Sequence, residues 1–324
     1  MGIDVSRDWL EIHSLPEGKR ARLPNKAEGH AQVARLAFEL GALVCFEGCE
    51  DQKRIRGIVF PSGGCQEWRL WSAPDVCGIA TRQLPPAQIK TFAASRGTRA
   101  KTDRIDAELI ARFMMFRPDA GRVLPHEKLR LLRALSSKRG QLVETRKRLL
   151  AQVKAYGKLG SADMFNTMNA KLKDLLDRQI AGLEVRIEQT LALDDELART
   201  ADIRRSVPGI GPVASTMLIA EMPELDQLSG EQAAALAGLA PIAHDSGAMR
   251  GKRATGGGRR LLRHVMFQAA PVASHHNPLL KTFADRLRAA GKPHKVVITA
   301  AARKLVAIAN VLCKSRLKWS NQAA

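Results

Sequence analysis

The sequence predicts an α/β layer at the N-terminus followed by a mainly helical remainder, and three observations carry that expectation. Over the first 120 residues short runs of β type alternate with amphipathic stretches at helical spacing. From about Glu127 the chain changes character, with apolar residues recurring every seven positions. From Ala201 onward it is helical in pattern and punctuated by glycine. At 324 residues the chain is long for one core and comfortable for two.

Gly2–Val5, Trp9–His13 and residues 20–23 read as three successive strands with tight connections. Residues 26–40 carry Val33, Leu36, Ala37 and Leu40 at helical spacing, and residues 42–46 form a buried-type strand. Residues 66–76 read as helix, 78–84 as extended chain, and Pro86–Ser95 and Asp103–Phe116 as two further helices. Three strands, a helix, a strand, a helix, a strand and more helix is the order of an RNase H-like domain, here spanning 1–120.

Across 121–200 the pattern is that of a helical hairpin. Leu135, Leu142, Leu149 and Tyr156 repeat every seven residues, beside a second row of Leu132 and Val153 that Arg139 and Arg146 interrupt. After a break at 157–161, Leu176, Ile180, Leu183 and Ile187 resume at alternating four and three. Two long, coiled-coil-like helices folded back on each other satisfy both patterns, as a spacer or a dimerisation arm. The final part, 201–324, opens with Val207-Pro208-Gly209-Ile210-Gly211-Pro212, a helix-hairpin-helix turn, and closes with an Ala-rich helix over 296–314.

Fifty-two Lys and Arg oppose 32 Asp and Glu, a formal net charge of +20 distributed along the whole chain. That balance favours a polyanionic partner, because each neutralised phosphate releases condensed counterions. A membrane surface is the weaker reading of the same charge, since no stretch reads as the roughly 20 apolar residues of a spanning helix. The start lacks a signal-peptide pattern, and Cys45, Cys49, Cys65, Cys77 and Cys313 form no C-x-x-C pair. Both point to reduced thiols and a cytoplasmic protein; a zinc site from the first four cysteines is the alternative their spacing leaves open.

Acids recur where such a sheet would gather them. Asp4 lies in the first strand, Glu47 at the end of the fourth, and Asp103 and Asp106 three apart at a helix start, hence on one face. Four carboxylates suit Mg²⁺, which bridges phosphate oxygens and in pairs orients the attacking and leaving groups. Taken singly, Asp4 equally suits a strand end and Asp103 a helix cap. In the last part, Asp245-Ser246-Gly247 precedes Arg250, Lys252, Arg253, Arg259 and Arg260. A hydroxyl on such a loop can attack a phosphodiester that the cations neutralise, with His244 as a candidate base; an ordinary turn before a solvated basic loop has the same residues. Gly209 and Gly211 would let helix-terminal N–H groups approach a DNA phosphate.

These motifs in order, Gly2-Ile3-Asp4-Val5, Phe46-Glu47, Thr102-Asp103-Arg104-Ile105-Asp106, Val207 to Pro212, Leu239-Ala240-Pro241 and Asp245-Ser246-Gly247, resemble the DEDD transposases of the insertion sequence 110 family. The resemblance spans nearly the whole chain. It implies a RuvC-like nuclease domain whose Asp4, Glu47, Asp103 and Asp106 hold Mg²⁺, and a C-terminal transposase domain whose Ser246 becomes linked to DNA. It further implies DNA partners (the ends of a mobile element and its target), guidance by a bridge RNA, and a homo-oligomer, dimer or tetramer, with a composite site between protomers.

One departure stands out. Residues 48–62 intervene between the strand-ending Glu47 and Gly63-Gly64, where the family runs directly into the next helix. Pro74 falls inside that helix, and Glu67 is a fallback ligand beyond the insertion. Lengthening a loop costs only the logarithm of its size, whereas displacing a reacting group by about an ångström costs roughly a hundredfold in rate. Two alternatives therefore accompany a DNA recombinase: a decayed copy that binds nucleic acid without cutting, and a junction-resolving nuclease independent of Ser246.

Overall fold

A computed structural model describes the chain except residues 48–53, 56–57, 60–69, 71–72, 75–76, 98–101, 160–161, 244, 248–250, 252 and 321–324. It divides into two compact units, Met1–Pro125 and His126–Ala324.

In the first unit β1 (Gly2–Val5), β2 (Trp9–His13) and β3 (Arg20–Pro24) form an antiparallel meander, and α1 (Ala27–Glu39) leads to β4 (Val44–Glu47). β5 (Arg54–Ile55) and β6 (Ile58–Val59), inside the insertion, pair with each other. β7 (Thr81–Leu84), α2 (Pro86–Ser95) and α3 (Asp103–Phe116) complete the unit. The strand order is β3-β2-β1-β4-β7, with β4 parallel to both β1 and β7. The two central parallel strands are short and apolar because each is covered on both faces. Ile3, Leu10, Val33 and Phe46 are buried together on the α1 side, and Cys45, Leu84, Leu109 and Ile110 on the other.

The expected strands and the helices at 26–40, 86–95 and 103–116 are present, some with shifted ends, and the β5–β6 pair is an addition that the sequence pattern did not suggest. The strand expected at 42–46 begins at Val44, and the extended run expected from Gly78 begins as strand only at Thr81. The N–H groups of Cys77 and Ile79 both donate to the Pro74 carbonyl, and Gly78 adopts a positive φ of 71°, so these residues turn rather than pair. Of the helix expected over 66–76, Leu70, Ala73 and Pro74 are helical and the rest lies outside the described residues. So do Glu67, Cys49 and Cys65. Burial pushes the Cys45 thiol up to about 12, so it stays protonated in the core, while Cys77 is exposed.

The second unit opens with α4 (Glu127–Lys158) and α5 (Asn166–Ala192), which pack along each other. Lys128 pairs with Asp194, Arg139 with Glu184 and Arg146 with Asp177, a descending series that makes the two arms antiparallel. The arginines that interrupt the apolar row thus reach acids across the hairpin. Leu132 and Leu135 share a core with Ile187, Leu191, Ala201, Ile219 and Ala220, which ties the hairpin base to α6 (Asp195–Arg205) and α7 (Pro212–Glu221).

The remaining elements are α8 (Gly230–Leu236), β8 (Pro241–Ile242), β9 (Ala254–Thr255), α9 (Arg260–His276), α10 (Pro278–Ala289) and α11 (His294–Ser315). Contrary to the expectation that no stretch has spanning length and apolarity, α11 has both. Its Ile298, Ala301, Ala302, Leu305, Val306 and Ala309 are buried against the other helices, which accounts for that apolarity by core packing.

Candidate active site

Strand parity decides where the N-terminal acids face. Ile3 pairs with Phe46 across parallel β1 and β4, so Asp4 and Glu47 follow in step at the C-terminal ends of the two strands. Side chains alternate along a strand. Ile3 and Phe46 are buried on the α1 side, which turns Gly2 and Asp4, like Cys45 and Glu47, toward the α3 side.

α3 brings the second pair to that side. Thr102 caps it, accepting from the Ile105 N–H at 3.4 Å, and two acids in its first turn complement the helix dipole. Asp103 is in line with Ala107 and Ala111, four and eight residues on, and those two alanines lie over Gly2. Asp106 is in line with Ile110 and Phe113, both buried against the sheet. Asp4 and Glu47 thus face the side of the sheet that α3 covers, and Asp103 and Asp106 sit in the first turn of that helix. Asp103 is exposed, and Asp4, Glu47 and Asp106 are half-buried. Among the described residues no three carboxylate, histidine or cysteine groups close on a single point. The acids stand as a strand pair and a helix pair and offer only carboxylate oxygens, the donor type that a hard cation takes.

A partly exposed ion cluster over buried His13 ties α3 to β3. Glu108 accepts from Arg20 of β3 at 2.9 Å and from Arg112 at 2.8 Å, and Arg20 Nε donates to His13 Nδ1 at 3.2 Å. The bond from Arg112 chiefly holds the Glu108 carboxyl below its ordinary range, and burial holds His13 below its own. Nothing in the local sequence pattern singles out this cluster, since its members lie 88 residues apart.

In the second unit, Pro241 pairs with Thr255 and Ile242 with Ala254, so β8 and β9 form the stem of a loop that carries Ser246. Ser246 is exposed, Gly247 takes a φ of 55°, and Asp245 lies 3.7 Å from Arg253. His244, Arg250 and Lys252 lie outside the described residues. The stem is anchored by glycines: a Cβ on Gly258 would stand 2.3 Å from the Gly238 nitrogen, and Arg263 donates to the Gly257 carbonyl at 3.0 Å. Sequence reasoning missed this seat, which the Gly256-Gly257-Gly258 run alone could have flagged.

The expected cations do not share one role. Arg253 and Arg260 are exposed, whereas Arg259 turns inward and bonds the Glu221 carbonyl and the Glu224 carboxylate, which removes it from the solvent-facing set. The two turn glycines differ likewise. Gly209, at φ 102°, has no room for a side chain, since a Cβ would stand 2.4 Å from that of Ala273. Gly211 borders open space at the uncapped N-terminus of α7, and with Pro212 and Val213 it is exposed.

Residues 2–156 match a DEDD model described as transposase, and residues 201–285 match one described as the transposase IS116/IS110/IS902 family. The pilin gene-inverting protein of Moraxella bovis is 29% identical over 236 residues, 69% of each chain. The insertion element IS900 uncharacterized 42 kDa protein of Mycobacterium paratuberculosis is 33% identical over 138 residues, 40% of this chain and 34% of its own. The insertion element IS110 uncharacterized 43.6 kDa protein of Streptomyces coelicolor is 28% identical over 151 residues, 46% and 36% of the two chains. The chain belongs to the IS110 family of transposases, whose DEDD domain has the RNase H-like fold.

Proposed function

We propose that this chain cuts and rejoins DNA as the recombinase of an insertion sequence, with Asp4, Glu47, Asp103 and Asp106 holding Mg²⁺ and Ser246 as nucleophile. The observation that carries the reading is that the strand pair faces the side of the sheet covered by the helix that bears the other pair. Bound there, Mg²⁺ would stabilise charge on the oxygens of a scissile phosphate. The Ser246 oxygen attacks phosphorus and releases its proton as the DNA oxygen departs, so a phosphoseryl bond replaces one phosphodiester bond. Arg253 and Arg260 neutralise flanking phosphates, and the exposed N-terminus of α7, read as a helix-hairpin-helix turn, gives affinity without base readout. In this division of labour 1–120 is the nuclease domain, 121–200 a linking hairpin and 201–324 the transposase domain. Family membership alone supports extending the reading to a bridge RNA and to a dimer or tetramer.

The test is incubation of purified protein with labelled element-end DNA and Mg²⁺. A covalent protein–DNA species is expected, lost in Ser246→Ala and in Asp103→Asn with DNA binding retained. Mg²⁺-dependent cutting that survives Ser246→Ala would instead support the junction-resolving nuclease. The position of residues 48–62 directly after Glu47 supports the second reading, a copy that binds without cutting. It predicts no adduct from the full chain and recovery of the adduct on removal of those residues.

A further inference from the structure

Beyond Glu231 the chain contains only two acids, Asp245 and Asp285, among many lysines and arginines. Both are already paired, with Arg253 and Arg288. Acids from earlier in the second unit reach three more cations: Glu224 reaches Arg259, Glu196 and Asp226 reach Arg316, and Asp202 reaches Lys318. Arg286 of α10 and Lys304 of α11 are exposed and make no ion pair among the described residues. Both nevertheless converge on one half-buried ring, with the Arg286 guanidinium 5.5 Å and the Lys304 ammonium 4.7 Å from the centroid of Phe283.

Those two distances hold the charges no more than about 10 Å apart, near the Debye length of about 8 Å at physiological salt. At that outer limit salt screens most of their mutual repulsion, so the two cations can share one neighbourhood. The ring attracts each cation through its quadrupole but cancels no charge, so the arrangement fixes two cations and leaves them uncompensated. Anionic groups spaced along one polymer are their electrostatic complement, and the excess of basic residues in this part of the chain makes a polyanion the fitting source. We propose that Arg286 and Lys304, held over Phe283, grip the phosphate backbone of duplex DNA at a surface separate from the serine loop. Both cations lie beyond residues 201–285, where the family match ends. The contact rests on the family's DNA binding and not on the serine chemistry, and it positions DNA without reading its sequence.

Fluorescence anisotropy of the full chain on a random-sequence DNA duplex, across a salt series, tests this. Each phosphate contact contributes about 0.9 to the slope of log affinity against log salt, so Arg286→Ala with Lys304→Ala should flatten that slope by roughly 1.8. Exchanging the pair, Arg286→Lys with Lys304→Arg, should leave it unchanged. A hairpin control of equal charge loss, Lys154→Ala with Lys171→Ala, should flatten it less. If circular dichroism shows lost helix in the alanine variant, Arg286→Gln with Lys304→Gln carries the measurement. A change no larger than that of the control overturns the proposal, as does one confined to an RNA duplex. Wild-type protein that binds no DNA would instead overturn the broader reading.

Discussion

Gly2 lies directly beneath Ala107, where a Cβ on the glycine would stand 2.3 Å from the Ala107 carbonyl oxygen and 2.4 Å from the Ala111 nitrogen. Only backbone meets backbone there, so no side chain can swing aside. This contact sets how closely the helix bearing Asp103 and Asp106 approaches the strand bearing Asp4.

Gly2→Ala should therefore force α3 off the sheet and destabilise the chain by roughly 3 kcal/mol, the upper range for overpacking. Gly140→Ala, on an exposed stretch of α4 with open space around it, should instead stabilise by about 0.5–1 kcal/mol by improving helix propensity. Urea denaturation of both variants checks the contrast. Equal effects would remove the special role of Gly2.

The cluster behind α3 predicts a fall in stability toward acid. His13, held below its ordinary value by burial, resists protonation in the fold, so stability falls as pH drops below about 6.5, where the unfolded chain takes up the proton. Glu108, held low by Arg112, adds stability above the ordinary carboxylate range that is lost as pH falls through its depressed value. Thermal melts from pH 7 to pH 3 should show both losses, and Glu108→Gln should lower the melting temperature at pH 7 while flattening the more acidic part. An unchanged acid profile in that variant would contradict the assignment.

The two turn glycines should separate folding from binding. Gly209→Ala must place a Cβ on Ala273 at a strained φ and should cost about 3 kcal/mol. Gly211→Ala should leave the melting temperature nearly unchanged, so that any loss of DNA affinity reports on the N-terminus of α7 itself.

Arg259→Ala breaks bonds to the Glu221 carbonyl and the Glu224 carboxylate in a nearly buried setting and should cost about 2 kcal/mol. Arg253→Ala should leave stability within about 0.5 kcal/mol, because it removes only a long, exposed pair. In salt-series binding, Arg253→Ala should flatten the slope and Arg259→Ala should not.

That contrast shows what the sequence could and could not disclose. The strand and helix order was legible because alternation and helical spacing are local signals, and the pairing of Asp103 with Asp106 follows from a three-residue spacing alone. The inward turn of Arg259 was hidden, because a Gly-Gly-Gly-Arg-Arg run reads as solvated loop and its carboxylate partner lies 35 residues earlier. Gly209 was legible as a turn but not as a seat for Ala273. The arginines interrupting the apolar row of α4 looked like faults in a heptad until Glu184 and Asp177 faced them from the other arm.

Those cross-arm pairs carry a consequence for descent. Going from Arg139 to Arg146 advances seven residues on one arm, and their partners retreat seven on the other, from Glu184 to Asp177. Inserting one residue into either arm would rotate everything beyond it by about 100° and separate every later pair. Related chains should thus differ in this region by matched gains or losses of whole heptads in both arms. The hairpin evolves like a zip, whose two rows of teeth can only be lengthened together.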